Sequence, residues 1–339
     1  MKEGVKFAHE RNVKVYVTAN ILAHNYDLEG ARAYFEELKE VGPDALIISD
    51  PGMFTIAKEV LPDIDIHIST QANNTNYMTY NFWWNQGAKR VVSARELSLE
   101  EIKEIRAHIP EEMEIETFMH GAMCISYSGR CLLSSFLAGR DANRGACTHP
   151  CRWKYSVVEE SRPGEYMPVY ENERGTYIFN SKDLCMIEHI PDLIDAGIDS
   201  YKIEGRLKSP EYVAAVTAAY RKALDAACAG IPVDEMVTAR DRYALQMVFS
   251  RGFSTGWLDG TDHPRLTHGR YGKKRGAYAG VIMNSGQGWL DIRPEGGIPL
   301  APGDGFVIDA GEDRNEEQGG RIWKVQRNRL FFHGKASRI

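Results

Sequence analysis

Four of the six cysteines of this 339-residue chain fall within 28 residues, at Cys124, Cys131, Cys147 and Cys151, with six, fifteen and three residues between them. Such crowding asks for a chemical reason. Disulfide pairs are one, but nothing at the N-terminus reads as an export signal, and a chain of this length builds its core without staples. Thiolate ligands for a metal or an iron–sulfur centre account for the pattern better. Zinc sites usually pair one Cys-x2-Cys knuckle with another, and neither of the short spacings here follows that habit. An iron–sulfur cluster tolerates irregular spacing because the loops need only reach the corners of a cube, so a 4Fe–4S cluster ranks above zinc. Cys185 stands as an alternative ligand in place of Cys147 or Cys151. Cys228 follows a helical pattern through Tyr212, Val216, Tyr220 and Leu224 and is expected as a buried core thiol.

The same stretch is basic. Between His120 and Tyr155 stand Arg130, Arg140, Arg144, Arg152 and Lys154 against Asp141 alone, in a chain whose net charge is −6. A positive loop in an acidic chain predicts an anionic ligand, either a carboxylate metabolite or a phosphate backbone; the alternative is a set of solvated charges offsetting thiolates. The acidic total excludes a protein that coats nucleic acid indiscriminately. A hydrophobic content of 43% is ordinary for a globular protein. No apolar run approaches the roughly 18 residues of a membrane helix, so no membrane partner is expected and the reduced cysteines predict the cytoplasm. Peptidase signatures are missing: there is no His-Glu-x-x-His helix and no Gly-x-Ser-x-Gly elbow. A cysteine nucleophile would have to be Cys124 with His120, and the crowding argues that Cys124 is already a ligand.

The elements that must position this loop alternate along the chain. Short β-branched runs at 15–18, 45–48, 64–68, 90–92, 114–118 and 200–204 are separated by helical stretches, the rhythm of βα units on a parallel sheet. Asp50 before Pro51, Ser98 with Glu101, and Ser209 before Pro210 mark helix starts. At the C-terminal ends of these strands lie Asn20, Asp50, Gln71 with Asn73, Arg95 with Glu96, His120, and Lys202 with Glu204, where a barrel would gather them on one rim. Residues 155–176 read as a charged, turn-rich insertion leading into a strand at 176–179. A linker over 259–275 separates the 1–258 domain from a Gly-rich segment of alternating apolar residues, 276–339, expected as a small β-barrel. Arg270, Lys273, Lys274 and Arg275 at its entrance are either phosphate contacts or a solvated linker.

The run Glu116-x-Phe118-x-x-Gly121-Ala122-Met123-Cys124-x4-Gly129-x-Cys131-x-Leu133-Ser134 resembles, position for position, the signature of peptidase family U32, the collagenase-like peptidases. Blocks at 49–52, 69–73, 95–98, 180–184 and 202–206 extend the resemblance from about Val13 to Trp257. Arg162 to Met167 and the Cys147-x3-Cys151 pair are most similar to the family's tRNA-hydroxylating branch. That resemblance implies a TIM-type (βα)8 barrel: six strands are read here, and the family's start would supply two more, so the chain is expected to be N-terminally truncated and to stop early at Ile339. It implies conversion of the tRNA wobble uridine to 5-hydroxyuridine without molecular oxygen, with prephenate as co-substrate; ribosomal RNA cytidine and a ubiquinone precursor are the family's other substrates. On this reading Cys124, Cys131, Cys147 and Cys151 hold the cluster. Gln71, Asn73, Arg130 and Arg206, with Lys202, bind substrate and a small carboxylate, and His120, Lys202 or Glu204 carry the catalytic chemistry. Tyr127 or Trp153 would stack an unpaired base. The sequence names no partner protein.

Overall fold

The computed structural model describes residues 1–339 apart from 154, 159, 169–179, 261, 263–265, 268–273, 275, 296–299, 309–317 and 334–339. The chain divides into two compact units, Met1–Val237 with Phe253–Gly272, and Thr238–Gly252 with Lys273–Ile339. The expected strand at 176–179, the end of the 155–176 insertion, and Lys154, Arg270, Lys273 and Arg275 lie outside the described residues.

In the first unit, helix α1 (Lys2–His9) precedes a run of alternating strands and helices: β1 (Tyr16–Thr18), α2 (Leu28–Val41), β2 (Ala45–Ile48), α3 (Pro51–Val60), β3 (Asp65–Ile68), α4 (Tyr77–Asn85), β4 (Arg90–Val92), α5 (Leu99–Ala107) and β5 (Glu114–Gly121). The helix starts form as their residues dictate. Asp50 caps α3 through the Met53 amide with Pro51 in the first turn, and Ser98 and Glu101 close a capping box on α5. Beyond β5 come α6 (Leu133–Ala138), the hairpin β6 (Ser156–Val158) and β7 (Tyr166–Pro168), β8 (Asp183–Cys185), α7 (Ile190–Asp195), β9 (Ser200–Ile203), α8 (Pro210–Cys228) and α9 (Val233–Met236). After helix α10 (Ala239–Val248) the chain returns to the sheet as β10 (Phe253–Ser254).

Strands β1 to β5 pair in chain order, all parallel, and β9 adds parallel to β5. All six runs read from sequence are therefore neighbours in one sheet, as βα connections require. β2 is apolar and buried at every position, Ala45–Ile48, whereas β3 and β5 bury polar groups among their apolar ones, His67, Glu116, Thr117 and His120. The two short strands β8 and β10 were not legible. β8 runs antiparallel to β5 through His120 and Gly121, and β10 lies parallel to β8. Among the described residues no ladder joins β10 back to β1, so the sheet is α/β and mostly parallel, with closure into a barrel not seen. One expectation fails outright: Cys228 is exposed. It lies eight residues past Tyr220, a rotation of about 80° from the buried stripe of Tyr212, Val216, Tyr220 and Ala223.

Among its described residues the second unit holds α10 and five antiparallel strands, β11 (Gly280–Gly286), β12 (Trp289–Pro294), β13 (Gly305–Ile308), β14 (Gln318–Gln326) and β15 (Arg329–Phe332), in the order β11-β12-β15-β14-β13. Its core is Leu290, Ile292, Ile308, Ile322, Leu330 and Phe332.

Candidate functional site

Strand β5 carries two polar groups of different kinds. At its start, the buried Glu116 carboxylate accepts from Arg90 at 2.9 Å, Ser200 at 3.0 Å and Lys202 at 2.9 Å, while Arg90 also reaches Glu114 at 2.7 Å. Burial raises the Glu116 carboxyl, but Lys202 and Arg90 outweigh it and the net shift is downward. Lys202, expected in the chemistry, is thus fastened to Glu116.

At its far end the β5–β9 ladder shifts register between Phe118 and His120, a bulge that re-aims the side chains following it. Gly121 then takes φ 110°, and a Cβ there would stand 2.4 Å from the Glu204 carbonyl oxygen, so only glycine lets β5 pass the end of β9. His120 is buried in a ring of Tyr212, Tyr220 and Phe253. The Tyr220 hydroxyl donates to the Met119 carbonyl at 2.8 Å and accepts from the Met186 amide at 3.1 Å. Nδ1 of His120, 3.2 Å away, must therefore be the donor to that oxygen, which leaves Nε2 as a bare acceptor. Burial, helped by Lys208, lowers the imidazole to about 4, so it is neutral at physiological pH.

The loop after Gly121 folds back over the strand ends. Asn143 donates to Gln71 Oε1 at 2.7 Å and accepts the Leu22 amide at 2.7 Å; Asn73 donates to the Ser128 carbonyl at 3.3 Å. Arg206 donates to the Gly145 carbonyl at 3.0 Å. Gly129, at φ 76°, has the Gln71 oxygen 2.8 Å from where a Cβ would be. Arg95 is the hub. Its guanidinium lies 3.7 Å from the Phe118 ring centroid, 3.6 Å from the Glu204 carboxylate, and bonded to Ser128. Gln71, Asn73, Glu204 and Arg206 are thus brought together by the loop. Arg130 is exposed at its surface, and His120 and Lys202 are turned to other partners. Ser128 and Asn143, absent from the sequence reading, have no local signal: their importance comes from partners 33 and 72 residues away.

The four thiols of the loop are free and half-buried. Burial raises Cys124 and Cys151, and the charges of Cys131 and Cys147 raise both further, so the four act on one another electrostatically; Arg95 opposes this at Cys124 and Arg152 at Cys151. Cys185 instead lies beside the Tyr220 hydroxyl oxygen, 3.7 Å from it. Among the described residues no group of three or more Cys, His, Asp or Glu stands in metal-gripping geometry. The donor set nevertheless fits a thiolate-bound cluster in kind: four soft ligands, unpaired, share one loop beside a buried cation. Around them several buried polar atoms have no hydrogen-bond partner, namely Arg95 Nε, Glu96 Oε2, Asn73 Oδ1 and His120 Nε2. Burial also raises the Glu96 carboxyl. Unsatisfied donors and acceptors of both kinds at one sheet end are what a polar ligand would complete.

The α/β unit with its cysteine loop belongs to peptidase family U32, whose profile matches residues 1–268. Within that family the chain is 37% identical to tRNA hydroxylation protein P of Escherichia coli, over 90% of this chain and 82% of that protein. It is 42% identical to an uncharacterized protease of Methanocaldococcus jannaschii, over 75% of this chain and 61% of that protein. The 23S rRNA 5-hydroxycytidine C2501 synthase of Escherichia coli is 38% identical over 66% of this chain and 32% of its own length. No helix among the described residues is long and apolar enough to cross a membrane.

Proposed function

We propose that this chain is a cytoplasmic RNA-modifying enzyme that hydroxylates the tRNA wobble uridine without molecular oxygen, drawing on a small dicarboxylate such as prephenate. What carries the reading is the loop that unites four free cysteines with Gln71, Asn73, Arg95, Glu204 and Arg206, in a chain whose relatives include a tRNA hydroxylation protein and an rRNA hydroxycytidine synthase. The sequential parallel order β1-β2-β3-β4-β5-β9 supports reading the first unit as a (βα)8 barrel. Residues 1–258, less the 238–252 segment that groups with the second unit, are the site domain and 276–339 the appended module.

Cys124, Cys131, Cys147 and Cys151 would hold a 4Fe–4S cluster, which when bound supplies one-electron chemistry. The chain's own residues do the rest. Arg95, with a free Nε, and the exposed Arg130 and Arg206 orient carboxylates by charge-assisted bonds. Glu204, partly exposed beside Arg95, holds or moves a proton, whereas His120 braces β5 against α8. Exposed Tyr127 and Trp153 offer faces to an unstacked uridine. The protease reading draws on the family's title and the Methanocaldococcus relative. It needs a Cys124–His120 pair, and the described contacts of the His120 ring are Tyr212, Tyr220 and Phe253.

Anaerobic purification with iron and sulfide assays, followed by nucleoside analysis of total tRNA from cells with and without the gene, tests the proposal. A brown protein and loss of 5-hydroxyuridine in the deletion are expected, with the Cys124→Ala variant colourless and unable to restore the nucleoside. A colourless protein with an unchanged nucleoside profile, or cleavage of denatured collagen that depends on Cys124, would overturn it.

A further inference from the structure

The outer face of the second unit's sheet carries a row of aromatic rings. Leu290, Ile292, Leu330 and Phe332 point to the core, so by strand alternation Trp289, Asp291, Arg329 and Phe331 face outward. Trp289 pairs with Phe331 across β12 and β15, and Phe331 with Lys324 across β15 and β14. The β14 ladder shifts register between Ile322 and Lys324, and the extra residue at that bulge is Trp323, which is 49% exposed. Trp323 lies 5.7 Å from Phe331 and stacks at 5.7 Å and 18° on His333. Trp289 lies flat over Gly286, where a Cβ would stand 2.5 Å from the indole.

Cations are interleaved with these rings. Arg329 sits 4.0 Å over the Trp289 centroid and is paired with Asp291, and Lys324 lies 5.4 Å over Phe331. From Arg321 to His333 the chain has Arg321, Lys324, Arg327 and Arg329 and no carboxylate, although the whole protein is acidic. A core-facing role explains none of this, since the core of the unit is complete on the other face. The exposed Trp323 beside the half-buried Phe331 and Trp289, interleaved with more cations than carboxylates, complements a polyanion that also bears flat apolar faces, and single-stranded nucleic acid is that ligand.

We propose that the outer face of β12, β15 and β14 is a docking platform for single-stranded RNA, with Trp323 and Phe331 stacking bases and Arg321, Lys324 and Arg327 taking phosphates. The proposal deepens the RNA reading by assigning this unit a contact of its own with the substrate. A duplex would gain little from it, because its base faces are already stacked.

The test is fluorescence anisotropy of the full chain with a labelled, unstructured oligouridylate of about 12 nucleotides. Trp323→Ala is expected to weaken binding about tenfold and Trp323→Phe to keep most of it, as one stacked base requires. Lys324→Glu with Arg327→Glu is expected to reduce the log–log salt slope by about 1.4, the share of two phosphate contacts on a single strand. Because Trp323 is exposed, thermal melting should not move. Binding by Trp323→Ala equal to wild type, equal affinity for the duplex, or displacement of the oligonucleotide by an acidic peptide at matched charge would overturn the platform. Cys124→Ala separates the two readings: it should bind the oligonucleotide normally even though it hydroxylates nothing. A wild type that binds through Trp323 yet leaves tRNA nucleosides unchanged supports the platform and removes the hydroxylase.

Discussion

The two ends of β5 are both polar and nearly dry, yet they are built in opposite ways. Around Glu116 the charges are matched: Arg90, Lys202 and Ser200 converge on one carboxylate, and Arg90 is shared with Glu114. A single bare atom interrupts that set, Nδ1 of His67. At the other end, Arg95, Glu96, Asn73 and His120 each keep one buried polar atom without a partner. Satisfied burial of charge fixes a fold, whereas unsatisfied burial lowers stability and persists where something else is to be bound. The comparison moves Lys202 from the chemistry to the scaffold and brings Arg95 forward.

The largest effect should come from breaking the matched end. Glu116→Ala leaves two cations facing each other in a buried site and is expected to cost about 3–5 kcal/mol in urea unfolding. Glu204→Ala, the same change at the unmatched end, removes a partly exposed carboxylate and should cost below about 1 kcal/mol while abolishing hydroxylation. Equal losses of stability from the two variants would erase the distinction drawn here.

How much of this was legible follows from the range of each signal. The six parallel strands and the caps Asp50, Ser98 and Ser209 are local patterns, and all formed where their residues predict. β8 and β10 are too short to show a period. Sequence placed His120, Lys202 and Glu204 at strand ends, but a strand end does not say which neighbour a side chain will meet. Tyr220 captures His120 across 100 residues and Glu116 captures Lys202 across 86. The cysteines were visible because their chemistry is rare; Arg95 was placed on the strand-end rim but given no role, because an arginine at a strand end is common.

The next effect in size is pH dependence. His67 and His120 are both held at about 4 against an ordinary 6.5, each chiefly by burial. Between those values the unfolded chain binds protons that the folded chain does not. Folding stability therefore rises with pH from about 4 to 6.5 and is lost on acidification through that window, by on the order of 3 kcal/mol for each imidazole. His120→Phe should remove about half of the slope measured by urea titration across that range. A slope unchanged by the substitution would place the ring in water rather than against Tyr220.

The smallest effect has the opposite sign and sharpens the comparison most. Burial raises the Glu96 carboxyl above its ordinary 4.5, so here the folded chain holds the proton more tightly, and stability falls as pH rises from 4.5 through the folded value. At neutral pH this carboxylate is a net burden on the fold. Glu96→Gln keeps its shape without the charge and is expected to stabilise the protein by about 1 kcal/mol while lowering activity, the exchange of stability for function seen where a site is left unsatisfied. Urea unfolding at neutral pH reads the first half and tRNA nucleoside analysis the second. A variant that is less stable would show that Glu96 already has its partner within the fold, and that the unmatched end of β5 is no different in kind from the matched one.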